Sequence, residues 1–442
     1  MMRALLAGLA AGLAGLVLIP AGAAQSPAAL PTGDAVPPTI NGGRYGEVRL
    51  AVPSGRATAY VVYFSGRGGW HTADRAVLDA IAGAGAIAVG VDLDNYYHNI
   101  GADPYAKRRP CDVLVGDVEG LSRQLQHRLQ ADTYYFPILT GAGEGGALAL
   151  QVLGQAPDNT LAGAVALNVA TAAHPPVRLC KGPFGAPFGF HENAARKKIA
   201  NDDVAALLVA LLQPHIGAPT ADGVSALPLE ELPSAPLGRL LAVVLSGDGG
   251  WRDLDRTIAE NLQHGGVSVV GWDSLRYFWR ERTPQETAAD LSRALRYYSV
   301  RWHTEHIALI GYSFGADVLP AVYAHLPEDL RSHVVLVSLL ALSPKADWEI
   351  SVTGWLGAPP TSKAQPIAQD LAALPPAIVQ CIYGAEQIDS PCPGLASTDA
   401  ELVRTLGGHH FDHRYDVLAE RILRKFRSRV EMQNAIAAPS VP

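Results

Sequence analysis

Tyr60-Val61-Val62-Tyr63-Phe64-Ser65-Gly66-Arg67-Gly68-Gly69-Trp70 and Leu241-Ala242-Val243-Val244-Leu245-Ser246-Gly247-Asp248-Gly249-Gly250-Trp251 carry one pattern twice, with Ser65 and Ser246 181 residues apart. Each stretch is an apolar run of strand length that ends in a glycine-rich turn. The same offset lays Gly90-Val91-Asp92 on Gly271-Trp272-Asp273, so the Asp follows the Trp by 22 residues in both copies. A third match, residues 138–147 against 308–317, has an offset of 170, which puts 11 extra residues into the first copy. The turn-rich composition of residues 103–113 locates them there. Strand, glycine turn, helix and strand, repeated at this long period, predict two tandem α/β domains with mainly parallel sheets rather than a solenoid. The Pro-, Ala- and Gly-rich residues 214–236 read as the linker, dividing the chain into 25–235 and 236–442.

The rest of the composition narrows the class. Of 442 residues, 48% are hydrophobic and 17% charged, enough for a substantial core. The net charge of −7, without a long basic run, argues against a nucleic-acid backbone binder. Four cysteines are too few for a disulfide-dense scaffold, and none forms a Cys-x-x-Cys pair. No metal-ligand cluster or cofactor motif stands out. Met1-Met2-Arg3, an apolar stretch to Pro20 and Ala21-Gly22-Ala23 have the form of a secretory signal peptide over residues 1–24. Export would permit disulfides, with Cys381 and Cys392 as a local pair and Cys111 with Cys180 as the other.

The two copies differ where chemistry would sit. Gly311-Tyr312-Ser313-Phe314-Gly315 fits G-x-S-x-G, between an apolar strand at 307–310 and a helical stretch reaching His325. That context is a nucleophile elbow, with Ser313 as nucleophile. Pro320 falls inside the expected helix and should kink it or end it early. The order nucleophile, acid, base then points down the chain. Asp389 and Glu386 lie in the loop after an apolar strand at 377–383, with Asp389 preferred. Gly407-Gly408-His409-His410 follows a short strand at 402–406, making His409 the first candidate base and His410 the second. The amide after the nucleophile, on Phe314, and one from the 246–251 turn, on Asp248 or next on Gly249, would form an oxyanion hole. In the first copy Gly143 stands where Ser313 stands and Arg67 where Asp248 stands, and no Gly-Gly-His-His segment follows. Residues 25–235 therefore read as a degenerate copy.

Ser246–Trp251, Gly311–Asp317, Ala341-Leu342-Ser343-Pro344-Lys345-Ala346-Asp347-Trp348-Glu349 and Gly407–Phe411 together resemble the VirJ/AcvB family of bacterial periplasmic proteins, over about 200 residues of the second half. The two-part layout is closer to the longer AcvB form. The resemblance implies two α/β-hydrolase-like domains, the first degenerate, and a periplasmic location. It implies hydrolysis of lysyl-phosphatidylglycerol, so a membrane phospholipid headgroup as substrate and peripheral membrane contact, with a link to virulence and type IV secretion in relatives. A cationic lysyl group would favour acidic neighbours. Asp248, Asp317, Asp347 and Glu349 are candidates, with Trp251 at the same turn. Trp348 and Trp355 read as core or, if exposed, as contacts with the lipid interface. Two other classes remain: an esterase or lipase on fatty-acyl esters, and a non-catalytic binding or secretion-assisting protein of the same fold.

Overall fold

The computed structural model describes residues 39–157, 159–169, 173–180, 190–194, 201–217, 223–350 and 361–437. The stretch read as a signal peptide and Trp355 lie outside the described residues.

The first unit contains β1 (Thr39–Asn41), β2 (Glu47–Ala51), β3 (Ala59–Phe64), α1 (Thr72–Gly83), β4 (Ala86–Val91), α2 (Leu93–Ala102), α3 (Val115–Arg128), β5 (Ile138–Ala142), α4 (Glu144–Leu153), β6 (Gly163–Leu167), β7 (Phe190–Ala194) and α5 (Asn201–Leu212). The second contains β8 (Leu229–Leu232), β9 (Leu240–Leu245), α6 (Asp253–His264), β10 (Ser268–Trp272), α7 (Ser274–Tyr277), α8 (Pro284–Trp302), β11 (His306–Tyr312), α9 (Phe314–Ala324), α10 (Glu328–Arg331) and β12 (Val334–Leu340). It continues through β13 (Lys345–Ala346), β14 (Gln365–Pro366), α11 (Ala368–Ala373), β15 (Val379–Gly384), β16 (Glu401–Thr405) and α12 (Tyr415–Ala437).

Among the described residues, each unit is built on a seven-stranded sheet, in the orders β1-β2-β4-β3-β5-β6-β7 and β16-β15-β12-β11-β9-β10-β8. All pairings are parallel except those of β2, with β1 and β4, and of β8, with β10. The central strands β3, β4, β9, β11 and β12 are buried on nearly every residue, as expected of parallel strands covered by helices on both faces. The architecture is two tandem α/β units with the α/β-hydrolase strand order. Leu229–Leu232 falls within the stretch whose composition reads as a linker. It is instead the antiparallel edge of the second sheet, so that unit begins before residue 236.

The repeat has a packing cause. A Cβ on Gly90 would lie 2.2 Å from the Trp70 ring, and one on Gly271 would lie 2.5 Å from the Trp251 ring. The tryptophan of each turn thus lies against a side-chain-free site on the neighbouring strand. Asp92 and Asp273 then cap the following helices, α2 and α7, by accepting from backbone amides. Ser65 and Ser246 accept from the amides of Leu93 and Ser274 at 3.0 and 2.9 Å. Cys111 is bonded to Cys180 and Cys381 to Cys392, as expected from sequence. Among the described residues no helix is long and apolar enough to cross a membrane.

Candidate active site

In the second sheet β9 lies between β10 and β11, and the connections after β9 and β11 leave on diverging paths. A crevice opens at the carboxyl ends of strands where the order reverses in this way. The residues singled out by sequence converge there, in a cleft of about 780 Å³.

Ser313 sits between β11 and α9 at φ 51°, ψ −120°, a conformation that side-chain-bearing residues rarely adopt. The flanking glycines make the turn feasible. A Cβ on Gly311 would lie 2.5 Å from the Gly315 carbonyl oxygen, and one on Gly315 would lie 2.3 Å from that of Leu245. The Ser313 amide donates to the Leu340 carbonyl at 2.9 Å, fixing the elbow to β12. Helix α9 does not stop at Pro320 but runs to Ala324. Proline removes one backbone bond there, but every residue from Phe314 to Tyr323 is buried, and that packing outweighs the loss.

The loop after β16 brings His409 to the elbow, with Nε2 2.8 Å from Ser313 Oγ. The Glu386 amide donates to the Gly407 carbonyl at 3.0 Å, which ties the loop after β15 to the one bearing the histidines. Beyond His410 the chain turns through Phe411, Asp412 and His413 at φ 51°, 51° and 57°, three consecutive side-chain-bearing residues in left-handed space. Of the three, Phe411 is buried. His410 pairs instead with the Tyr312 hydroxyl, its Nδ1 3.0 Å away. Tyr415 and His413 form a second such pair, at 2.8 Å. Burial pulls His409 below the ordinary imidazole value and neighbouring His410 adds to this, while Asp248 and Asp389 act in the opposite sense.

Both acids named from sequence are exposed, and neither hydrogen-bonds His409 among the described residues. Asp389 lines the cleft and Glu386 does not; Glu386 lies over Gly408 instead. Asp248 is a further carboxylate whose charge acts on His409, a role the sequence reading had not weighed.

The two amides proposed for an oxyanion belong to Phe314, at the first position of α9, and to Asp248, in the 247–250 turn. Neither makes a hydrogen bond within the described residues. A Cβ on Gly247 would stand 3.5 Å from Ser313 Cβ, so this backbone passes directly over the nucleophile. Gly249 also lines the cleft.

Carboxylates dominate the walls: Asp248, Asp253, Asp255, Asp317, Asp347, Glu349 and Asp389. Among the described residues they form no cluster arranged to hold a metal ion. Asp317 lies one helical turn after Ser313 and accepts from the Ser343 amide at 2.7 Å. Burial pushes its carboxyl up to about 8. Asp347 is engaged by the amide and hydroxyl of Thr361. Glu349 lies 3.8 Å from His127 and 4.0 Å from Lys363.

One expectation requires correction. Trp251 is not a substrate-binding residue. It is 3% exposed in the core, where its ring occupies the gap above Gly271. Trp348 takes the core alternative of its two readings: it is buried, its ring centroid 6.1 Å from that of Phe278. The sequence reading also missed Asp253, Asp255, Arg252, Tyr312 and Tyr415. Asp255 had a signal: at the repeat offset it falls on Asp74, which anchors the same point of α1.

Residues 239–430 match the family model of the bacterial virulence protein VirJ. No curated protein matches the chain significantly. Similar solved structures include Est1E from Butyrivibrio proteoclasticus, at 13% identity, 46% of this chain, 93% of that chain and TM-score 0.34. An α/β serine hydrolase without a lid from Xanthomonas campestris aligns at 19% identity over 51% of this chain and 96% of that chain, TM-score 0.32. An α/β serine hydrolase homologue from Coxiella burnetii aligns at 18% identity over 46% and 94%, TM-score 0.33.

Proposed function

From a second unit that matches the VirJ family model over residues 239–430, we propose that this protein is an exported, periplasmic serine hydrolase that cleaves the aminoacyl ester of lysyl-phosphatidylglycerol. The observation that carries the reading is the 2.8 Å pairing of Ser313 Oγ with His409 Nε2 at a strained elbow, inside a cleft walled by carboxylates. A serine hydroxyl is a weak nucleophile unless a base removes its proton as it attacks. His409, kept neutral by burial, is suited to that role.

In this mechanism Ser313 Oγ attacks the lysyl carbonyl and passes its proton to His409. The tetrahedral oxyanion is held by the amides of Phe314 and Asp248. His409 then protonates the departing glycerol oxygen, and phosphatidylglycerol leaves. Water, deprotonated by the same imidazole, releases lysine from the acyl-enzyme. Asp389 supports the imidazolium, with Asp248 adding to the negative field. The ammonium groups of lysine are drawn to the acidic walls, where Asp248 and Asp389 face the cleft and Asp317, which holds a proton at neutral pH, gains its charge as the ammonium docks. A fatty-acyl chain would gain nothing from these carboxylates, which favours the aminoacyl ester over a lipase substrate.

The test is a paired assay of the wild-type protein and Ser313→Ala with lysyl-phosphatidylglycerol vesicles and a short fatty-acyl ester. Lysine release that disappears in the variant supports the reading. Ester cleavage without lysine release would transfer it to a general esterase. No turnover of either by a folded protein would favour a binding role.

A further inference from the structure

The first unit carries Gly143 where the second has its serine, yet one face of its helix α3 is set against the turn that carries Asp248. Glu119, Arg123 and His127 follow one another at intervals of four, so they lie along a single stripe of α3. Glu119 accepts from the Arg252 guanidinium, and the two side chains are only 8% and 24% exposed. Arg123, 1% exposed, lies 4.0 Å from Glu119 and over the Tyr134 ring at 5.7 Å, close enough to feel the charge of Asp248. His127 reaches Glu349 on the cleft wall. From a separate loop of the first unit, Asn159 donates through Nδ2 to the Trp251 carbonyl at 2.8 Å. The segment carrying Asp248 and Gly249 is thus held immediately downstream, at residues 251 and 252, by two residues of the other unit.

Among the described residues, the matching turn of the first unit shows no such partner. Its residue at the Arg252 position is His71, whose side chain is 62% exposed and whose contacts are with Asp74 of the same helix. Arg252 is therefore a departure from the repeat, and its partner lies across the interface. The physical need is clear. A Gly-Asp-Gly-Gly turn has wide backbone freedom, whereas an oxyanion donor acts only if its N–H is already aimed when charge develops.

We propose that the first unit is a positioning element for catalysis by the second, with Glu119 and Asn159 fixing the 247–252 turn in its donor geometry. This rests on the hydrolase reading above for its consequence, but the fixing of the turn can be measured without turnover.

The experiment uses the full chain with Glu119→Gln, Glu119→Asp and Asn159→Gly. The last keeps the left-handed backbone of Asn159, at φ 55°, and deletes only the donor. Hydrogen–deuterium exchange of peptides covering 246–253 is expected to quicken several-fold in Glu119→Gln and Asn159→Gly, with the peptides of β11 and β12 unchanged. On a p-nitrophenyl acyl ester, kcat is expected to fall about tenfold or more with KM within about twofold, since misplacement of this kind acts on the transition state. Glu119→Asp should recover part of both effects. Exchange equal to wild type in both variants overturns the proposal, whatever the activity. An altered exchange in a protein with no ester turnover, even as wild type, would leave the positioning intact and defeat the hydrolase reading instead.

Discussion

Gly143 and Ser313 occupy the same backbone conformation in the two units, at φ 57°, ψ −124° and φ 51°, ψ −120°. Each donates its amide to the end of the next strand at 2.9 Å, Gly143 to Leu167 and Ser313 to Leu340. The first unit has kept the elbow and lost the hydroxyl. Gly143→Ser should therefore destabilise the chain by about 1 kcal/mol, the lower end of the cost of such a conformation for a residue with a Cβ. It should not restore hydrolysis in a Ser313→Ala background. The described first sheet ends at β7, the counterpart of β15, and so has no strand at the place of β16 to present a histidine. A urea midpoint and an ester assay check both halves; recovered turnover would refute the account.

His409 must be neutral to act as base, and burial lowers its value from the ordinary imidazole range. The acid limb of kcat/KM is expected to have its midpoint below about 6.5. His410 also pushes it down, so His410→Gln should move the limb upward. A limb that stays in place in this variant would show that the two rings do not interact.

The two acids can be separated. Asp389 lines the cleft and its charge acts on His409, whereas Glu386 does neither. Asp389→Asn should lower kcat by about a hundredfold or more, and Glu386→Gln by less than about tenfold. The converse ranking in steady-state kinetics would reassign the acid. If both variants stay near wild type, Asp248 becomes the candidate.

Asp317 should make the protein's stability depend on pH. Its carboxyl is raised to about 8 in the folded chain, against about 3.9 when unfolded. The folded state holds a proton that the unfolded state gives up between these values. Its contribution is therefore full below about pH 4 and is lost as pH rises towards 8. Asp317→Asn keeps an acceptor for the Ser343 amide without the charge. Its Tm should fall less than that of wild type between pH 5 and pH 8, and parallel curves would contradict this. If the lysyl ammonium docks beside Asp317, ligand binding to Ser313→Ala at pH 7 should release a proton, visible as a buffer-dependent calorimetric enthalpy.

By itself the sequence determined what local rules can encode. The two-copy plan is legible because a Trp ring must meet a glycine on the next strand, which fixes the spacing of 22. The elbow is legible because only glycines fit at 311 and 315. His409 is legible because its loop follows a strand in the expected order. The tertiary structure decided whatever depends on which surfaces meet. A buried Trp251 and a lining one would look the same in sequence, since the gap above Gly271 exists only once β9 and β10 pair. The edge strand Leu229–Leu232 has too short an apolar pattern to stand out from a linker until β10 is beside it. The stripe Glu119, Arg123, His127 reads as an ordinary charged helix face, and its partners, Arg252 and Glu349, lie more than a hundred residues away. Charges choose partners by distance in space, and that distance is set by the packing of one unit on the other.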